Sequence, residues 1–196
     1  MQVILLDTRY FRGPLKTGPR RVGGRYYPDP NPAIPMLGDA QWRWLGEQLR
    51  KPAELRVIAS SIQFIAEAAG QETWSNLPAE RQRMIDLITK TEASGVLFIS
   101  GDRHWSDLSV QRDGGVAYPL HDLTSSSLNT EHRRGTPTEN RYRAIEETYH
   151  KQNFGLIEID WDAPDPAITL RIRDQGNVDK ITKELTLSDL EPRAKR

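Results

Sequence analysis

The chain has 196 residues, of which 28% are charged and 37% apolar, values typical of one globular domain rather than of a disordered chain. Lys and Arg together number 27, as do Asp and Glu, so no net charge favours nucleic acid or an anionic membrane as a partner. Cysteine is absent, which excludes disulfides and thiolate metal sites, and no segment approaches the apolar length of a membrane span.

The first predicted element is a short buried strand at residues 3–6, with the sequence Val-Ile-Leu-Leu. This apolar run is too short for a signal peptide and lacks a basic start. Asp7 and Arg9 follow the strand closely. Two interpretations of this pair stay open, namely a contribution to an active site at the end of the strand or a structural ion pair.

A long loop is predicted for residues 13–36, because its six prolines and four glycines are incompatible with regular structure. The loop carries the basic residues Lys16, Arg20, Arg21 and Arg25. Arginines in a long loop can attract a phosphate-bearing ligand. Such a run more often forms a solvated surface loop, and we favour that interpretation.

Helices and strands then alternate. Asp39 is the predicted N-cap of a helix that runs to about residue 51, and Pro78 is predicted to open a second helix that Gly95 closes. Residues 55–59 and 96–99 are apolar runs typical of buried strands. The resulting order of strand, helix, strand, helix, strand predicts a layered α/β protein.

The segment Gly101-Asp102-Arg103-His104 follows the predicted central strand and carries the strongest chemical signal. Active sites of α/β proteins lie at the carboxyl ends of buried strands. Asp102 and His104 are an oxygen and a nitrogen ligand two residues apart, and in an extended loop such a pair can point to one side and bind metal. A surface turn with an incidental histidine is the alternative, and the residues alone leave both open.

The last part of the chain is predicted to be largely β. Residues 107–111 alternate between polar and apolar side chains, which predicts a half-buried strand. A short helix is one interpretation of residues 142–149, and His132 and His150 are predicted to face solvent. Three further alternating segments predict antiparallel strands, and the tail from Glu191 is charged.

Six segments carry a family resemblance. They are Leu6-Asp7-Thr8-Arg9-Tyr10, Leu37-Gly38-Asp39-Ala40-Gln41-Trp42-Arg43-Trp44-Leu45, Ser60-Ser61-Ile62-Gln63, Trp74 with Pro78-Ala79-Glu80-Arg81, Gly101-Asp102-Arg103-His104, and Asn153-Phe154-Gly155. In this order and at this spacing they resemble the PhoD-like alkaline phosphatases, which belong to the calcineurin-like metallophosphoesterase superfamily.

This resemblance implies an α/β fold, specifically a four-layer α-β-β-α sandwich that is incomplete at its N-terminal side. Residues 1–190 are then expected to be the C-terminal part of a single metallophosphoesterase domain, and residues 191–196 a charged tail. The implied activity is hydrolysis of phosphate monoesters and diesters at a metal centre of iron and calcium ions. The implied metal ligands are Asp102 and His104, and Arg9 is implied to grip the phosphate while Asp7 orients it.

One departure from the family is large. Family members are usually longer and supply further metal ligands upstream of Asp-Thr-Arg, from motifs such as Gly-Asp-x-x-Tyr, which this chain lacks. We therefore expect a partial ligand set and weak or no phosphatase activity of the chain alone. Two explanations stay open: the chain is a fragment or truncated gene product of a PhoD-like enzyme, or a separate chain supplies the missing N-terminal half as a partner. The resemblance also implies an extracytoplasmic location. The alternative function is a non-catalytic α/β binding or interaction domain derived from this fold.

Overall fold

The computed structural model describes residues 1–67, 70–132 and 140–192. The first five strands along the chain form one sheet. The strands are β1 (Gln2–Leu5), β2 (Arg56–Ala59), β3 (Val96–Ser100), β4 (Asp107–Gln111) and β5 (Leu120–Thr124). Their order in the sheet is β1-β2-β3-β5-β4, in which β1, β2, β3 and β5 are parallel and β4 pairs antiparallel with β5 at one edge.

Two helices connect the first three strands, as predicted. Helix α1 (Asp39–Leu49) joins β1 to β2, and its N-cap is Gly38, so Asp39 instead places a negative charge in the first turn. Helix α2 (Pro78–Lys90) joins β2 to β3. It ends five residues before Gly95, whose φ of +65° forms the turn into β3.

The second sheet is antiparallel, which confirms the prediction for the last third of the chain. Its strands are β6 (Asn153–Asp160), β7 (Ala167–Asp174) and β8 (Asp179–Thr186), in the order β6-β7-β8. Alternate residues of β7 are buried in the same core as the first sheet, as the period of two requires.

The fold is therefore a mixed α/β fold with a mainly parallel sheet and few helices. Within the described ranges no α-helix follows Lys90, so the outer helical layer of a four-layer sandwich stays a prediction. In the same ranges no helix is both long and apolar enough to cross a membrane. Of the predicted charged tail, residues 193–196 lie outside the described part of the chain.

Three predictions about individual segments are wrong. Strand β1 is not buried on both faces, because it is an edge strand on which Val3 and Leu5 are 63% and 75% exposed. Strand β4 is buried throughout, because residues 140–149 cover it and supply partners for its polar side chains. Residues 142–149 are not helical, since they follow β4 through isolated bridges at Arg143 and Tyr149.

Candidate active site

Polar loops gather at one edge of the first sheet, because the parallel strands β1, β2, β3 and β5 all end there. Hydrogen bonds connect these loops to one another. Thr8 Oγ1 lies 2.5 Å from Ser61 Oγ, which links the loops after β1 and β2. The N–H of Ser125 donates to the carbonyl of Ser100 at 2.9 Å, which links the end of β5 to that of β3.

The loop after β3 holds Asp102 and His104 with φ values of +69° and +61°. This left-handed conformation costs a non-glycine residue about 1 kcal/mol or more, so the surrounding structure has to impose it. Ser126 Oγ accepts the N–H of His104 at 3.0 Å, and Ser127 Oγ donates to its carbonyl at 2.5 Å. The loop is thus not extended at these two residues, and the serine tract after β5 fixes its conformation.

A cavity of about 550 Å³ lies beside this loop, within the range of roughly 300–1,000 Å³ that is usual for ligand sites. Asp102 and His104 both line it, so the two predicted metal ligands reach one common space. The other walls come from the long loop, from the segment before α2 and from residues that follow Asp102. These lining residues are Thr17, Gly23, Gly24, Arg25, Tyr26, Gly70, Gln71, Glu72, Arg103, Trp105 and His132.

The long loop is fixed to this cavity by a close backbone approach. A Cβ atom on Gly24 would lie 2.3 Å from the carbonyl oxygen of Gly70, so only glycine fits there. The N–H of Tyr26 donates to the same carbonyl at 3.0 Å. Because Arg25 and Tyr26 line the cavity, the plain solvated loop that we favoured is an incomplete description of this segment.

Arg9 reaches the cavity wall through an ion pair. Its Nη1 lies 2.6 Å from Oε1 of Glu72, and its side chain is 59% exposed. A second arginine, Arg12, contacts the same carboxylate oxygen and is only 18% exposed. The structural ion pair between Asp7 and Arg9 is therefore not the arrangement found, since Arg9 pairs with Glu72.

Sequence reasoning missed Arg12 and Glu72 as site residues. Burial lowers the pKa of Arg12, and the charge of Arg9 lowers it further, whereas Tyr26 and Asp102 act in the opposite direction. Two signals were present in the sequence. Arg12 follows Arg9 by three residues, and Glu72 lies two residues before the tryptophan of the motif at position 74.

Asp7 shapes the turn that carries Arg9. Its Oδ1 accepts the N–H groups of Tyr10 and Arg9, each at 2.9 Å, and these two bonds lower the pKa of Asp7. The side chain of Gln41 bonds both the N–H and the carbonyl of Asp7, at 2.8 and 2.9 Å, and so ties the turn to α1. Asp7 thus acts on Arg9 through the backbone.

The prediction that His132 and His150 face solvent is wrong. The ring of His132 lies 5.4 Å from that of His104 between centroids, and its side chain lines the cavity. His150 is partly buried, with Nε2 at 2.6 Å from Thr148 Oγ1. Burial and the neighbouring His132 lower the pKa of His150. The clustering of these rings has no motif in the sequence, because the rings are far apart along the chain and meet only in the folded structure.

The buried carboxylate of Asp122 connects the loop after β2 to the end of β3. Asp122 in β5 accepts the N–H groups of Phe64 and Ile65 at 2.8 and 3.0 Å and the hydroxyl of Ser100 at 2.7 Å. Burial raises the pKa of Asp122, and the hydrogen bonds oppose that rise. This network positions the loop after β2. It escaped sequence reasoning because a single acid inside a strand has no motif.

The ligand types of Asp102 and His104 suit a metal ion, but two ligands do not complete the coordination sphere of iron or calcium. In the described part of the chain, no group of three or more His, Cys, Asp or Glu side chains is arranged to hold a metal. The described residues alone therefore do not form a complete metal centre.

The fold and the cavity define an α/β protein with a polar, arginine-bearing site at the carboxyl edge of a mainly parallel sheet. The family model of the PhoD-like phosphatases matches residues 1–165, so the chain belongs to the PhoD-like phosphatase family. No curated protein matches the sequence.

A solved structure of PhoD is similar in fold, with a TM-score of 0.61 and 19% sequence identity. The similarity covers 93% of this chain and 41% of that one, so this chain spans less than half the length of the solved PhoD structure. The predicted resemblance to PhoD-like enzymes is thereby confirmed.

Proposed function

We propose that the cavity at the carboxyl edge binds the phosphoryl group of a phosphate ester that this family hydrolyses. The observation that carries this proposal is the convergence of Arg9, through Glu72, on the cavity that Asp102 and His104 also line. An arginine fork matches the geometry of phosphate oxygens and stabilises the negative charge that builds up during hydrolysis. Arg9 binds the phosphoryl oxygens, and Asp7 holds the turn that presents it.

Metal dependence is a further part of the proposal. Asp102 and His104 are the ligands that this chain contributes, and iron and calcium are the ions that the family resemblance suggests. Two ligands are fewer than either ion takes, and a separate N-terminal half, which the family resemblance suggests, is the proposed source of the others. Membership of a phosphatase family favours this function over a non-catalytic binding domain.

An exposed apolar surface beside the site supports the need for further polypeptide. Val3 and Leu5 on β1 are largely exposed, and Leu5 also lines a groove of about 390 Å³ between the two sheets. The groove reaches Ile99 in β3 and Ile157 in β6. Exposed apolar surface next to an unpaired strand edge is typical of a protein interface.

Metal analysis of the purified chain tests the ligand assignment. At equilibrium with free iron and calcium ions, where an incomplete ligand set still binds weakly, we expect the wild type to retain more bound metal than Asp102→Ala. Asp86→Ala is the matched control, because Asp86 lies on the exposed face of α2. Equal retention by all three proteins would contradict the assignment of Asp102.

Hydrolysis of p-nitrophenyl phosphate tests the partial ligand set. We expect the chain alone to hydrolyse this ester at or near the background rate. Turnover that is abolished by His104→Ala would show that the 196 residues are sufficient for catalysis. That result would overturn the requirement for further polypeptide and would leave the position of the active site standing.

A further inference from the structure

Two arginines meet one carboxylate oxygen at the wall of the candidate site. Arg9 Nη1 lies 2.6 Å from Glu72 Oε1, and Arg12 contacts the same oxygen. Their environments differ, because Arg9 is 59% exposed while the side chains of Arg12 and Glu72 are 18% and 15% exposed. The Arg9 side chain thus lies largely in solvent, whereas the Arg12–Glu72 contact is mostly shielded from it.

The cluster has more donor capacity than Glu72 uses. A guanidinium carries five N–H donors, and within the described ranges the buried Nε of Arg12 has no hydrogen-bond partner. Two guanidinium groups side by side also repel each other, and a shared anion offsets this repulsion. Glu72 is that anion in the free protein. Glu72 lines the cavity, and Arg9 and Arg12 both contact its carboxylate, so an anion that displaces this carboxylate takes over its contacts with the two arginines.

We propose that Arg12 is a second phosphate-binding residue, and that Glu72 is an internal anion which competes with the substrate phosphoryl group for Arg9 and Arg12. This inference rests on the proposed function of the cavity. A phosphoryl group offers more acceptor oxygens than the single Oε1 atom that both arginines share, and it can bond each guanidinium bidentately. When phosphate binds, the Glu72 carboxylate leaves the arginines, so each binding event includes the cost of opening this ion pair.

Titration calorimetry with inorganic phosphate tests the competition, with the full chain at constant low ionic strength. Glu72→Gln keeps the size of the side chain and removes its charge, so the Kd for phosphate is expected to fall by about tenfold. Glu158→Gln is the matched control, because Glu158 accepts a hydrogen bond from Arg171 on the second sheet, outside the cavity. Its Kd should stay within about twofold of the wild-type value.

A double-mutant cycle tests the role of Arg12. Arg12→Ala should weaken phosphate binding, and in that background the gain from Glu72→Gln should shrink to less than about threefold, since one of the contested arginines is gone. Arg12→Lys keeps the charge without the fork and serves if Arg12→Ala does not fold. It should bind phosphate more weakly than the wild type.

The outcomes separate this inference from the proposed function. Unchanged or weaker binding by Glu72→Gln overturns the competition, and wild-type affinity in Arg12→Ala or Arg12→Lys overturns the assignment of Arg12. In either case, loss of binding in Arg9→Ala would still support the phosphate site. Absence of phosphate binding in the wild type and in Glu72→Gln would overturn both proposals.

Discussion

At the scale of single residues, Glu80 is an acidic side chain that lies buried in the first turn of helix α2. Its Oε2 accepts the N–H groups of Met36 and Leu37 at 2.7 and 3.2 Å and the indole N–H of Trp42 at 3.0 Å. Glu80 is only 4% exposed, so these donors replace water around the carboxylate. The residue therefore connects the end of the long loop and α1 to α2.

Replacement of Glu80 should be costly. In Glu80→Ala, three buried donors lose their acceptor, and we expect the free energy of unfolding to fall by about 3 kcal/mol. Urea denaturation followed by tryptophan fluorescence measures this change. Glu47→Ala on the exposed side of α1 is the control and should change stability by less than about 0.5 kcal/mol. Equal, small effects of both substitutions would show that Glu80 is not an anchor.

At the scale of elements, β5 places two titratable groups inside the protein. Burial lowers the pKa of His121 from 6.5 to about 4, and Lys183 and Arg112 lower it further, while the backbone at Pro119 and the carboxylate of Asp189 oppose the shift. Between pH 6.5 and pH 4, His121 binds a proton in the unfolded chain but stays neutral in the native protein. His121 therefore makes the protein less stable as the pH falls from 6.5 to 4.

The contribution of His121 is measurable by comparison with His121→Gln, which cannot titrate. We expect the stability advantage of the wild type to shrink by roughly 3 kcal/mol between pH 6.5 and pH 4. Unfolding in urea at several pH values gives this difference, and groups common to both proteins cancel. Among them is Asp122, whose raised pKa acts in the opposite direction. A pH-independent difference would show that His121 titrates normally in the native state.

The elements of regular structure were largely predictable, and the irregular ones were not. Strand β3, helix α2 and the antiparallel strands follow local patterns of apolar residues, which a single sequence displays. The burial of β4 was not predictable. Its polar face is covered by residues 140–149, and this contact depends on a long-range bridge between Ser109 and Arg143. When the residues that cover a strand lie far from it in the sequence, the strand's own pattern of polar and apolar residues does not reveal its burial.

The candidate site was predictable only in part, for the same reason. Arg9, Asp102 and His104 lie in motifs at the ends of strands, at the edge where active sites of α/β sheets form. Asp102 and His104 line the cavity, and Arg9 reaches its wall through Glu72. Glu72 comes from a loop, and its pairing with Arg12 depends on how two separate loops meet. Charge pairs between loops are set by tertiary structure and have no fixed spacing in the sequence.

At the scale of the whole molecule, one region of the chain departs from the pattern of a closed domain. Core residues join both sheets and both helices into one cluster, yet Val3 and Leu5 on the edge strand β1 remain exposed. The same edge leads into the turn that carries Arg9. The exposed surface and the candidate site are thus neighbours, so polypeptide that covers one is well placed to contribute ligands to the other.

The central claim is that this edge of the sheet is a phosphate ester site, and equilibrium binding of inorganic phosphate tests it most directly. Wild type, Arg9→Ala and Arg43→Ala are titrated under identical conditions, where Arg43 is an exposed arginine on α1 outside the cavity. We expect Arg9→Ala to raise the Kd by roughly 10- to 100-fold, as for loss of a charge-assisted hydrogen bond, and Arg43→Ala to bind like the wild type. Equal affinities of all three proteins would contradict the account.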